Sequence, residues 1–347
     1  MHPATALLER APTGSPWPLA TPAERQRRRR LLLIVLGAFL AVGAVFGPPT
    51  GREVLTAWVL LALWAACAGD TQVWRRTVAR DWLPLFAVLF AYDLLRGLAH
   101  RIGGAVFLLP SYRSSPLDPT QQARAHLTEP IAWDRVLFGG QVPTVWLQDH
   151  LHHVGQARWY DLLAIAVYFS HLVVSLALAV VLWAVACPLF RRYLAVLVTL
   201  TTAALVTYVV YPAGPPWMAS LNGLLPAGVD RVIPDTLQVI GGHTVNSAIE
   251  SGTAYANPVA ALPSLHAAIP MMLLLFLWPL VGKRLRCLLV GYVGLMAFTL
   301  VYSGEHYVVD ILAGWLYAAL SASLVRAVTW RRVDAKKICL PQPPTSG

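Results

Sequence analysis

Two histidines stand where long apolar runs begin. In ALPSLHAAIPMMLLLF, Ser264 and His266 precede one run, and in YSGEHYVVDILAGWLY, His306 and Asp310 open another. Asp310 follows His306 by four residues, so on a helix the two side chains share a face. A carboxylate one turn on accepts from one ring nitrogen and leaves the other free as a nucleophile. His266 adds a separate acid, so His306, Asp310 and His266 together meet the logic of nucleophile, orienter and acid. Each histidine is expected at a helix N-terminus, where unpaired N–H groups and the positive dipole end suit a phosphate. Pro263 fits the helix entry, and Ser264 serves either as the cap or as a donor to a phosphate oxygen. The plainer alternative makes these histidines polar anchors at a membrane surface. Two of them at helix starts, one with a carboxylate one turn on, argue for chemistry instead.

The elements that must position these groups are membrane spans. Of 347 residues, 57% are hydrophobic and 13% charged, about half the charged share of soluble domains. Apolar runs of spanning length alternate with short basic or proline-rich breaks. The expected fold is all-α: a polytopic helical membrane bundle of about eight transmembrane helices, at roughly 31–47, 54–69, 82–96, 161–186, 193–211, 265–282, 287–303 and 306–328. The formal charge of +10 does not point to nucleic acid, because it sits beside the spans. Arg27–Arg30, Arg75, Arg76 and Arg80, Arg191 and Arg192, Lys283, Arg284 and Arg286, and Arg331, Arg332, Lys336 and Lys337 all fall on one side of such a path. That side is then cytoplasmic, and both termini lie there. The expected organisation is a disordered tail over 1–30, N-terminal spans over 31–96 and an extracytoplasmic or interfacial segment over 97–160. A catalytic membrane domain over 161–328 and a cytoplasmic tail over 329–347 complete it. The four cysteines, Cys67, Cys187, Cys287 and Cys339, fall near cytoplasmic ends, so no disulfide is expected.

The residues carry a family resemblance. PSLH at 263–266 with HYVVD at 306–310 resembles the type 2 phosphatidic acid phosphatase superfamily, most closely the inositol phosphorylceramide synthase branch. YPAGPPWM at 211–218, YFSHLVV at 168–174 and WDRVLFGG at 133–140 are similar to that branch too. The resemblance implies a core six-helix bundle and metal-independent phosphoryl transfer through a phosphohistidine. It makes His306 the nucleophile, Asp310 its orienter and His266 the acid that protonates the leaving oxygen. No cofactor is implied. The partners implied are a lipid phosphate held in the bilayer and, on the branch's pattern, a polyol acceptor.

The sequence departs from the family at the cations. The common pattern has a lysine–arginine motif before the first histidine and Ser-Arg ahead of the second, where this chain has Ser303-Gly304-Glu305. A transferring phosphoryl group still needs positive charge on its equatorial oxygens. Arg96, Arg101, Arg113, Arg124, Arg135, Arg158 and Arg231 are the outer-face candidates. Arg96 and Arg135 are favoured by YDLLRG and WDRVLFGG, although Asp93–Arg96 also reads as an ordinary i,i+3 pair. Tyr211, Ser303 and His171 join Ser264 as expected substrate contacts, with His171 either facing the site or bonding a neighbouring helix. Asp149, His150, His152 and His153 resemble a metal cluster, but no motif completes one. Asp161, with Trp159 and Tyr160, reads as an interfacial anchor.

The expected function is an integral membrane lipid phosphatase or phosphotransferase of the plasma membrane, working at the extracytoplasmic face, with water or an alcohol as acceptor. The rival class is a transporter or scaffold, which requires ionisable residues at mid-bilayer and paired, broken half-helices. His171 alone lies at such a depth, and no paired halves are visible.

Overall fold

Apolar runs become helices in a bilayer because only a helix pairs every backbone N–H and C=O within its own segment. The computed structural model describes residues 22–46, 52–67, 78, 81–88, 125–185, 187–225, 228–241 and 259–330. Its helices include α1 (Pro22–Phe46), α2 (Arg52–Ala66), α3 (Thr128–Leu137), α4 (Pro143–Leu151), α5 (Trp159–Val185), α6 (Cys187–Val210), α7 (Pro216–Leu221), α8 (Leu265–Leu277), α9 (Lys283–Tyr302) and α10 (Val308–Trp330), and residues 83–88 and 232–241 are helical too. Among the described residues there is no β-strand, only isolated bridges joining His126, Ala213 and Ala260. The fold is an all-α membrane bundle. Helices α5, α6, α9 and α10 are each long and apolar enough to cross a membrane.

Two expected boundaries shift. The helix that carries the first expected span begins at Pro22 rather than near 31, so residues 22–30 are helical and not part of a disordered tail. Proline at the first helical position, Glu24 in the first turn and a run of helix-favouring arginines account for the early start. The sixth span, expected over 265–282, ends at Leu277 as a 13-residue helix. At 1.5 Å per residue this is about 20 Å, short of a hydrocarbon layer of about 30 Å. Pro279 has no N–H to extend the ladder, and the chain turns at once into α9. Of the expected third span only 81–88 is described, and Arg96, Arg101, Arg113 and Arg124 lie outside the described residues.

The short α8 is enclosed rather than lipid-facing. It packs against α5, α6, α9 and α10. Ala268, Met272 and Leu273 join Trp183, Phe190, Tyr193 and Leu200 in one core, and Ala267 joins Met296, Leu300 and Ile311 in another. The contact with α10 is close enough to require glycine. A Cβ on Gly314 would lie 2.4 Å from the carbonyl oxygen of Ser264. At the end of the bundle away from the histidines, buried Asp81 accepts from Trp183 Nε1 at 3.1 Å and from Arg191 Nη2 at 3.4 Å. At the histidine end, α3 contacts α10 and α4 contacts α9.

Candidate active site

Helix α10 begins just after His306, and its first N–H groups are all claimed by carboxylates. Tyr307 N–H donates to Asp310 Oδ2 at 2.9 Å, Val308 N–H to Asp134 Oδ2 at 3.1 Å and Val309 N–H to Asp134 Oδ1 at 3.0 Å. The expectation that this N-terminus receives phosphate is therefore corrected: two side chains of the chain itself occupy the donors. At α8, Ser264 acts as the cap, its Oγ accepting from Ala267 N–H at 3.3 Å. Ser264 N–H in turn donates to the backbone oxygen of Asp310 at 3.0 Å, tying the two histidine-bearing helix starts together.

This tie brings the expected triad into one place. His306 Nδ1 stands 3.5 Å from Asp310 Oδ2, an ion-pair separation, with both side chains buried. The His266 and His306 rings are 5.5 Å apart between centroids. His171 belongs to the same cluster, 4.3 Å from the His266 ring, and its Nδ1 pairs with the backbone oxygen of Tyr168 at 2.6 Å. Of the two readings left open for His171, the structure favours the one facing the site. Tyr168 stacks on His266 from the same helical turn, with centroids 4.6 Å apart.

The remaining expected contacts fall at varied distances from the chemistry. Ser303 is buried and donates back to Leu300 O at 3.4 Å, within the last turn of α9. Tyr211 stacks face to face on His126 at 3.7 Å. Burial, with Glu129 and Asp310 nearby, pushes its phenol up to about 12, so it remains a neutral donor. Arg135 is exposed on α3, whereas its neighbour Asp134 is the buried residue that caps α10. Burial raises the Asp134 carboxyl to about 6, with Asp310 adding to the rise and the two N–H bonds opposing it.

The turn between α9 and His306 is assembled from distant parts of the chain. Gly304 has φ +74, and a Cβ there would lie 2.7 Å from Asp230 O and 3.2 Å from Gln148 Nε2. Both the backbone conformation and the close approach call for glycine. Gln148 clamps the approach, donating to Tyr302 O at 2.8 Å and Asp230 O at 3.0 Å while its Oε1 accepts from Asp230 N–H at 2.9 Å. Trp217 N–H donates to Gly304 O at 3.2 Å. Glu305, directly before His306, accepts from Arg231 Nε at 3.3 Å and Nη2 at 3.1 Å, and the guanidinium lies 4.6 Å from the centre of the Trp217 ring.

A protein-family model described as the PAP2 superfamily matches residues 133–324, more than half of the chain. The chain belongs to the PAP2 superfamily. It is a helical membrane protein of phosphatase type. Neither a curated protein nor a solved structure gives a match. The region shared with the PAP2 superfamily opens beside Asp134 and ends within α10, so it contains both histidine motifs, Gln148, Tyr168, Trp217 and Arg231.

Sequence reasoning passed over several residues of this PAP2 site. Asp134 and Tyr168 lie inside WDRVLFGG and YFSHLVV, and the signal for them in the sequence is their polarity among apolar neighbours. Asp161 is not an interfacial anchor. It is buried, receives the hydroxyl of Tyr302 and accepts Arg158 N–H at 2.8 Å, joining α5 to α9. Trp159 is exposed, as an anchor would be. The histidines of the 149–153 stretch point elsewhere: His150 pairs with Trp146 O at 2.7 Å, and His152 faces Asp230 at 3.7 Å. Among the described residues no group of three or more His, Cys, Asp or Glu converges as metal ligands would.

Proposed function

We propose that this PAP2 protein transfers the phosphoryl group of a lipid-linked phosphate through a phosphohistidine on His306, at the extracytoplasmic face of the plasma membrane. The observation that carries the reading is the meeting of His306, Asp310 and His266 in one cluster, with 3.5 Å between His306 Nδ1 and Asp310 Oδ2. Asp310 Oδ2 faces Nδ1 at 3.5 Å, which leaves Nε2 as the nucleophile. Its lone pair forms the N–P bond as the P–O bond to the lipid breaks, and His266 gives its proton to the leaving oxygen. In the second half His266 takes a proton from the incoming water or alcohol, whose oxygen attacks phosphorus and releases His306. The positive charge that His306 carries while phosphorylated is stabilised by Asp310.

The outward orientation rests on the bundle's polarity. Lys283, Arg284 and Arg286 lie at or near the start of α9, the end opposite His306, and basic clusters mark the cytoplasmic side. Both termini are then cytoplasmic. The substrate is a phospholipid or polyprenyl-type phosphate whose tail stays in the bilayer. The resemblance of PSLH and YPAGPPWM to the inositol-transferring branch supports a polyol as acceptor besides water.

The test is transient labelling of His306 by a ³²P-labelled lipid phosphate in the purified full chain. His306→Ala is expected to lose both the label and product release. Full activity in His306→Ala, or complete loss on chelation, overturns the mechanism. Release of label into an added polyol distinguishes transfer from hydrolysis.

A further inference from the structure

The reading above needs a cation beside His306, and the residue directly before His306 is an acid. Glu305 is nearly buried, its side chain only 12% exposed. Left alone, a buried carboxylate next to an arriving phosphate would repel it. Arg231 cancels that charge, placing both Nε and Nη2 on the single oxygen Oε1. In this pair the guanidinium is the more accessible partner, 29% exposed against 12%.

Arg231 is fixed relative to His306 by more than this ion pair. The preceding residue, Asp230, is clamped by Gln148 to Tyr302 O. Gly304 lacks a side chain where the backbone oxygen of Asp230 and the Val229 side chain press on it. Trp217, whose ring lies under the guanidinium, bonds through its own N–H to Gly304 O. All three links end on the turn from Tyr302 to Glu305. Desolvation offsets much of the attraction in a largely buried ion pair, so stability is a weak reason to constrain one arginine this thoroughly. Glu305 immediately precedes His306, so its pairing with Arg231 ties the guanidinium to the turn that carries the imidazole. Arg135, the described candidate that the sequence favours, is exposed on α3.

We propose that Arg231, braced by Glu305 at its edge and Trp217 at its face, is the guanidinium that takes the equatorial oxygens of the transferring phosphoryl group, with Glu305 as its positioning residue. The inference rests on the phosphohistidine reading and supplies the charge that reading requires. It also gives the acid at 305 a purpose. A carboxylate holds the planar fork in one orientation, so less side-chain freedom is lost when the oxygens arrive.

The test is orthovanadate affinity of the purified full chain in lipid nanodiscs, read from the vanadate-dependent rise in Tm. Wild type is expected to bind, and His306→Ala to lose most of the affinity. Arg231→Ala should weaken binding at least tenfold, and Arg231→Lys nearly as much, since an ammonium lacks the fork. Glu305→Gln should weaken it severalfold at an unchanged vanadate-free Tm, a readout that a merely structural pair would not move. Arg158→Ala should bind as wild type does. If Arg231→Ala does not fold, Arg231→Lys decides. Wild-type affinity in Arg231→Lys, with His306→Ala impaired, overturns the role of Arg231 and leaves the phosphohistidine reading standing. No vanadate binding by wild type removes both.

Discussion

Asp134 Oδ1 accepts the N–H of Val309 at 3.0 Å, across 175 residues of sequence. A carboxylate from α3 thus starts the helix whose preceding residues carry the expected nucleophile. Asp134→Ala should cost about 1–2 kcal/mol, the value of a helix cap, and loosen His306. The pH dependence has a definite sign. Burial raises this carboxyl from 3.8 to about 6, so its contribution to stability is fully present below 3.8 and is lost as pH rises through about 6. Asp134→Asn does not titrate. The Tm of wild type relative to Asp134→Asn should therefore fall as pH rises across that window, and a constant difference would contradict the burial argument.

Gly314 lets α10 approach Ser264 more closely than any side chain allows. The obstacle to a methyl group is backbone, which cannot swing aside as the end of a long side chain can. Gly314→Ala should force the two histidine-bearing helices apart at a cost of about 1–3 kcal/mol, the scale of overpacking. Thermal unfolding should show the loss, and turnover should fall further than stability alone explains. A variant with wild-type Tm and turnover would show that the contact is looser than the geometry indicates.

His266→Ala should behave differently from His306→Ala. Loss of the leaving-group acid should lower turnover of a lipid phosphate by about 10²–10⁴-fold. With an activated aryl phosphate, whose leaving group needs no proton, the loss should be much smaller. Equal losses on the two substrates would remove His266 from the acid role. Asp310→Asn should retain the fold and lose activity, because an amide does not stabilise the charged ring.

His171 lies against His266 with its Nδ1 engaged by Tyr168 O. If it orients the acid, His171→Phe should fill the space yet lower kcat about tenfold, equivalent to about 1.4 kcal/mol of lost orientation, with KM nearly unchanged. The leaving-group dependence should move toward that of His266→Ala. Unchanged kcat in His171→Phe would reduce the residue to packing.

Orientation is open to chemical labelling. With the native cysteines replaced, an impermeant maleimide on intact cells should modify Gln156→Cys, in the exposed connection at the histidine end, and spare Arg284→Cys at the opposite end. The reverse pattern would put the site on the cytoplasmic side.

What the sequence determined by itself is what short-range physics controls. Apolar length and basic flanks located α5, α6, α9 and α10, because a bilayer leaves a helix no other place for its backbone polar groups. The four-residue step from His306 to Asp310 put both on one face, since helical geometry is local. Ser264 as a cap was equally legible. Tertiary structure decided the rest, because those contacts join segments with no periodic relation to one another. Asp134 reaches Val308 across 174 residues, Gln148 reaches Tyr302 across 154 and Arg231 reaches Glu305 across 74. No spacing rule encodes such meetings. They depend on how α3, α4 and the 228–231 segment settle over the ends of α9 and α10. The same packing assigned the cation. Motif resemblance favours Arg96 and Arg135 among the outer arginines, and only the fold sets Arg231 against Glu305, the residue before His306.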